Sequence, residues 1–320
     1  MYKTNMNTII KQECREKLSS NRTVLMGIGI VLVLIFHLGC AGFSPLGGRF
    51  NIGYSGVDIF MLCSGFGLVK SYTRNTLKEF WIRRFVRIMP LWIITSAIYI
   101  LLTGNGGGYF VLNLTTLIYY YNFGRDAFEW YISAIILLYL IFPLLYRNWS
   151  CKRTIYYIMM TSGILFFYVA LKFTTGMSLP IYWMLLLSRM PAFIMGIMVA
   201  KKECFDAKNI IILFLLFCIP VWLFEKFLGV DLLIIALILI YICNRSKQIK
   251  QNKILVFLGK YSLEIYLSNM IWLTINKVYG IEGDISIILS FIFVHPMCTA
   301  IFIYLNYVSQ KIIQKYVIRT

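Results

Sequence analysis

The stretch VLMGIGIVLVLIFHLGCAGF (24–43) decides how this sequence is read. It runs for 20 residues without an Asp, Glu, Lys or Arg, the length a helix needs to cross about 30 Å of hydrocarbon. A polar stretch of 23 residues precedes it and no small-residue cleavage pattern follows. It therefore reads as a retained span and not as a removed signal peptide.

The same pattern recurs along the chain, at 24–43, 53–70, 89–103, 130–146, 154–171, 179–200, 210–228, 231–243, 254–275 and 285–308. The third and eighth stretches are short, and 110–121 suits a re-entrant or interfacial piece. Composition agrees: 60% of the 320 residues are hydrophobic and 14% are charged, against roughly 45–50% and 25% in a soluble domain. Disordered, collagen-like and disulfide-scaffold readings fall at the same step. The eight cysteines are widely spaced, without metal-ligand spacing, and most lie in or beside apolar runs as small buried hydrophobes.

The net charge of +18 could indicate nucleic acid, but its distribution argues otherwise. With the N-terminus in the cytoplasm, 25 of the 31 Lys and Arg residues fall on inner segments. Five fall outside (Arg49, Arg125, Lys172, Lys226 and Lys277), and Arg189 lies within a span. That alternation is the positive-inside pattern, with attraction to anionic lipid as its by-product. The expectation is an all-α polytopic membrane protein of about ten transmembrane helices with both termini cytoplasmic. Residues 1–23 form a cytoplasmic N-terminal segment, 24–308 the transmembrane domain and 309–320 a cytoplasmic tail.

An ionisable group inside a span costs about 2.5–3.5 kcal/mol on insertion scales, which makes each one a functional candidate. The set is His37, Asp58, Arg189, Glu264 and His295. His37 and Asp58 sit toward the same end of the first two spans. An Asp that accepts from one imidazole nitrogen leaves the other free as a base; the alternative is a histidine bonded to a backbone carbonyl, without chemistry. Arg189 needs a carboxylate, phosphate or carbonyl partner at membrane depth, and a buried pair with Glu264 is the competing reading. His295 precedes Pro296, where a kink frees a carbonyl for it.

In KEFWIRRFVRIMP (78–90), Arg83, Arg84 and Arg87 occupy about one helical turn, with Arg84 and Arg87 as neighbours on one face. Phe80, Trp81 and Phe85 supply an apolar side for the membrane interface. Clustered guanidinium groups there can grip phosphates bidentately, or anchor to anionic lipid. Tyr119, Tyr120, Tyr121, Trp130 and Tyr131 form either an interfacial belt or a sugar-stacking platform. The Asn-x-Ser/Thr triplets at Asn21, Asn113 and Asn148 read as chance.

These residues carry a resemblance. GVDIFMLCSGFGLV (56–69), FWIRRFVRIMP (80–90), WYISAIILLYLIFPLL (130–145), SRMPAFIMGIMVA (188–200) and LGKYSLEIYLSN (258–269) resemble, in order, blocks of the membrane acyltransferase-3 family of bacterial O-acyltransferases. The resemblance implies a multi-pass protein of the bacterial plasma membrane. It implies transfer of an acyl group, usually acetyl, from cytoplasmic acyl-CoA to a hydroxyl of an extracytoplasmic, cell-surface or lipid-linked polysaccharide. His37 occupies the place of the family's first-span catalytic histidine, and Arg84 and Arg87 match its Arg-x-x-Arg pair, implicated in donor handling. The sequence departs from the family at Met26, where a basic residue is frequent, and in the fourth-span block, which lacks a frequent glutamate. It departs again at Asn269, where many members carry a histidine.

The expected mechanism seats the coenzyme A phosphates on Arg83, Arg84 and Arg87, with Arg189 a further donor-binding candidate. His37, held by Asp58, removes the acceptor's proton or carries the acyl group itself. No metal and no nucleic acid enter this scheme. A lipid-linked glycan exporter or flippase, using the same basic mouth without acyl transfer, is the alternative.

Overall fold

In hydrocarbon a backbone must close its own hydrogen bonds, and every element of the computed structural model is helical among the described residues. Those residues are 2–45, 47–116, 129–147, 181–201 and 251–316, with positions 237, 238, 241 and 249. In chain order the helices are α1 (Tyr2–Cys40), a 3-10 helix (Gly47–Tyr54), α2 (Ser55–Tyr72), α3 (Leu77–Thr103), α4 (Gly107–Leu114) and α5 (Tyr131–Arg147). They continue as α6 (Ile181–Ala200), α7 (Lys253–Lys260), α8 (Ser262–Val278) and α9 (Asp284–Tyr316).

Among the described residues, four helices are long and apolar enough to cross a membrane: Arg15–Cys40, Phe50–Tyr72, Leu77–Thr103 and Asp284–Ile313. They coincide with the first, second, third and tenth expected spans. The ninth, expected as one run over 254–275, is instead broken: α7 and α8 meet at a bend of 72°, with Tyr261 between them. Counted as one span, the pair makes a fifth. Helix α5 and the Arg189–Ala200 part of α6 are apolar but shorter. The expected spans at 154–171, 210–228 and 231–243 lie outside the described residues, apart from positions 237, 238 and 241.

Helix α3 begins twelve residues before the apolar run that predicted it, and capping explains the extension. The Thr76 side chain accepts from the Glu79 amide, while the Glu79 carboxylate accepts from the Thr76 amide at 2.9 Å, which satisfies two orphan donors at once. Pro90 then falls inside the helix. It has no N–H for the Val86 carbonyl four residues earlier, and Gln310 Nε2 on α9 donates to that carbonyl at 2.8 Å. The helix passes the proline because a neighbour bonds the freed group. Of the piece expected to be re-entrant or interfacial at 110–121, residues 117–121 lie outside the described residues, and the rest falls on α4 and the turn after it, whose end is tied to α3. There the Trp92 indole N–H donates to the Asn113 carbonyl at 3.2 Å, and the Asn113 amide donates to Ser96 Oγ at 3.0 Å. Asn113 and Asn21 are both buried, which removes them as glycosylation sites.

The chain divides into two compact units. One comprises residues 1–25, 57–74 and 134–252, the other 26–56, 75–133 and 253–320, so α1 contributes to both. In the first unit, α2 and α6 approach through reciprocal glycines. A Cβ on Gly65 would lie 2.1 Å from the Phe193 carbonyl oxygen, and one on Gly196 would lie 2.0 Å from that of Leu62. Only small residues permit such backbone approach between membrane helices. In the second unit, α8 packs on α9 and α3, and α9 packs on α3. Along α9, Ile285, Leu289, Ile292, Phe293, Met297 and Ile301 are exposed. Their spacing of three to four residues draws one continuous apolar stripe, a face suited to lipid and not to water.

Replacing Gly196 with Val must force α2 and α6 apart. The expected outcome is a loss of stability of at least about 1–3 kcal/mol, the usual cost of overpacking, read as a lowered midpoint in thermal unfolding of the detergent-solubilised protein.

Candidate active site

His37 stands one turn before the end of α1, in the second unit, and is half-buried. Its Nδ1 is bonded to Oδ1 of Asn269 on α8. An amide oxygen can only accept, so Nδ1 carries the proton and Nε2 keeps the lone pair. Asn269 is fully buried. One of the positions at which the sequence departs from the family's blocks is therefore the one that orients the histidine.

The expected partner of His37 was Asp58. In the structure Asp58 is engaged within the first unit instead: its Oδ2 accepts from Arg189 Nη1 at 2.6 Å. The two side chains are 1% and 0% exposed. An unpaired charge at that depth is costly, and the guanidinium, which stays protonated, supplies the opposite charge that a neutral imidazole would lack. The same pair corrects the alternative reading of Arg189, whose acid is Asp58 and not Glu264. Glu264 accepts from the Asn306 amide on α9 at 2.5 Å.

Tyr266 lies three residues before Asn269, so α8 presents both on one face. The Tyr266 ring packs 6.1 Å from the His37 ring, and its hydroxyl donates to Oε1 of Glu129. Glu129 is buried and also caps α5, its two oxygens accepting from the amides of Tyr131 and Ile132 at 2.5 Å each. A carboxylate at a helix start gains from the helix dipole. Composition had given no reason to single it out, but a readable signal exists: Glu129 stands directly before the tryptophan that opens an apolar run.

Six rings close a circuit of contacts around this point. Phe36 packs on His37 at 5.6 Å, His37 on Tyr266 at 6.1 Å, and Tyr266 on Tyr131 at 5.3 Å. Tyr131 meets Trp130 at 6.2 Å, Trp130 meets Tyr54 at 6.0 Å, and Tyr54 returns to Phe36 at 4.9 Å. Of the aromatics singled out in the sequence, Trp130 and Tyr131 belong to the circuit, while Tyr119, Tyr120 and Tyr121 lie outside the described residues. Beside it, a cavity of about 460 Å³ opens at the end of α1, lined by Phe36, Gly39, Phe43, Phe50 and Asn51 among others. The loop over it is pinned where both oxygens of Asp284 accept from Ser44, at 2.7 and 2.8 Å.

The basic segment is helical, in the first turns of α3. Arg83 and Arg87 are exposed, and Arg84 is half-buried with its guanidinium 5.8 Å from the Phe80 ring centre. His295 is buried and stacks on Phe291 at 5.0 Å, and it bonds the Ile265 backbone on α8 where a carbonyl freed by Pro296 on its own helix was expected.

The Asp58–Arg189 pair yields a stability test. Asp58→Ala leaves a buried cation without its acid and is expected to cost about 3–5 kcal/mol. Replacing both with apolar residues of similar volume should restore most of that loss, measured as unfolding midpoints of the single and double variants.

Residues 24–307 match a family profile described as an acyltransferase domain, Acyl_transf_3. No curated protein and no solved structure matches the chain. With the family match spanning most of its length, the chain belongs to the acyltransferase-3 family, and the protein is a membrane acyltransferase.

Proposed function

We propose that the protein is an O-acyltransferase of the bacterial plasma membrane. It moves an acyl group, acetyl by preference, from cytoplasmic acyl-CoA to a hydroxyl of an extracytoplasmic polysaccharide. One observation carries the reading: a half-buried histidine whose Nδ1 is occupied by Asn269, which leaves the lone pair on Nε2 of a ring packed between Phe36 and Tyr266. In this scheme Nε2 takes the proton of the acceptor hydroxyl as its oxygen attacks the thioester carbonyl. The carbon–oxygen bond forms, the carbon–sulfur bond breaks, and the proton passes to the departing thiolate. A route through an acyl-histidine would use the same nitrogen.

The other residues take supporting parts. Arg83, Arg84 and Arg87 offer guanidinium groups for the phosphates of the donor. Phe36, Tyr54, Trp130 and Tyr131 are half-buried, and their flat faces, with polar tips on Tyr54, Trp130 and Tyr131, suit a sugar ring. The cavity beside Phe36 provides room for the acceptor's hydroxyl-bearing end. Asp58 and Arg189 support the first unit as a buried pair.

Labelled acetyl-CoA supplied to inverted vesicles, with envelope glycan as acceptor, tests the proposal. Wild type should label glycan, and His37→Ala should lower the rate by about 10²–10⁴-fold, the usual contribution of a general base. Asn269→Ala should fall between the two, since Nε2 survives without its orienting partner. Equal labelling by wild type and His37→Ala would remove the histidine from the chemistry.

A further inference from the structure

The first unit gathers cations from two helices. Arg15 and Arg22 are seven residues apart on α1, two turns along one face, and Ser19 lies between them. Ser19 Oγ accepts from Nζ of Lys70, near the end of α2. Arg74 follows Lys70 by one turn. The neighbouring charges that act on Lys70 are those of Arg15, Arg74 and Arg22, and all three are positive.

Two features show that this gathering is built and not merely a solvated face. The Arg22 guanidinium is seated on Gly67, where an added Cβ would fall 2.7 Å from Nη2 and 2.9 Å from Cζ. A side chain at Gly67 would shift the guanidinium from that place. Arg22 Nε is buried without a hydrogen-bond partner, an orphan donor of the kind that native structures seldom leave. Lys70 is held in turn, its Nζ over the Phe66 ring at 4.9 Å. Like charges brought together and held repel one another unless an anion sits among them. A planar fork beside a compact ammonium is a donor set that matches phosphate oxygens.

We propose that Arg15, Arg22, Lys70 and Arg74, with Gly67 as the seat of Arg22, form a binding site for a phosphate ester that does not include the arginines of α3. The ligand chemistry is a phosphomonoester or diester, and it has two sources: a soluble nucleotide-like molecule or a lipid headgroup.

The experiment uses full-length protein in nanodiscs of phosphatidylcholine, with thermal unfolding as the readout. One arm titrates coenzyme A into solution, and the other adds phosphatidylglycerol to the disc. One probe should raise the melting temperature, by the linkage between ligand binding and stability, and the responding arm identifies the source. Arg22→Gln and Lys70→Gln should each need roughly tenfold more of that probe for half the shift, the loss of one charge-assisted hydrogen bond. Gly67→Ala should weaken the response in the same way with every charge intact, because it displaces the guanidinium. If Arg22→Gln does not fold, Lys70→Gln and Gly67→Ala decide the matter. The proposal is overturned if neither probe shifts the wild type, or if the shift is the same in these variants and disappears only in Arg84→Ala and Arg87→Ala. No arm measures acyl transfer, so the outcome is independent of the role assigned to His37.

Discussion

A polar group in hydrocarbon has no water to fall back on, and its partner must come from the protein. That constraint governs the arrangement of this chain. Asp58 and Arg189 meet at 2.6 Å because neither charge could stay alone where both are buried. The carbonyl left open by Pro90 is taken up by Gln310, and Glu264 is met by Asn306. The Trp272 indole donates to Ser290 at 2.7 Å, and Ser290 donates to Asn276 at 2.8 Å. Several of these bonds join different helices. The polar groups thereby specify which helices are neighbours, a task that apolar contact alone performs poorly when the solvent is as apolar as the side chains.

Helix α8 is where this logic turns into a site. It is polar for a buried helix, with Ser262, Glu264, Ser268, Asn269 and Asn276 all buried. Its 72° break from α7 changes the direction of the chain just before the turns that carry Tyr266 and Asn269. Asn269 sets the tautomer of His37 while Tyr266 packs on its ring, and Glu129 ties Tyr266 to the start of α5. Two segments distant in sequence from α1 thus fix one imidazole. Such support from residues that do not themselves react keeps a base within the narrow geometry that proton transfer requires.

The cations divide by environment. Arg83 and Arg87 project from the first turns of α3 as exposed groups, able to meet a ligand or a lipid surface. Arg22 and Lys70 are half-buried and braced, one on a glycine and the other on an aromatic ring and a serine. Bracing lowers the entropy lost on binding, which distinguishes a recessed site from a surface charge.

Much of this was legible in the order of residues alone. Uncharged runs such as 24–43 declare helices of membrane length because the backbone must bond internally and the side chains must be apolar, and both requirements are local. The blocks around GVDIFMLCSGFGLV and FWIRRFVRIMP carried the family, and an imidazole within an apolar run marked His37 by its cost. The partners were a different matter. Asp58 had a plausible histidine in the neighbouring span but is bonded to an arginine 131 residues later. His37 is oriented from Asn269, 232 residues away, and Glu129 gained its meaning only when Tyr266 reached it. The break at Tyr261 was hidden as well, since an apolar run reads the same whether straight or bent. A hydrogen bond depends on the positions of two atoms in space, and the spacing of residues along the chain leaves that distance open until the helices have packed.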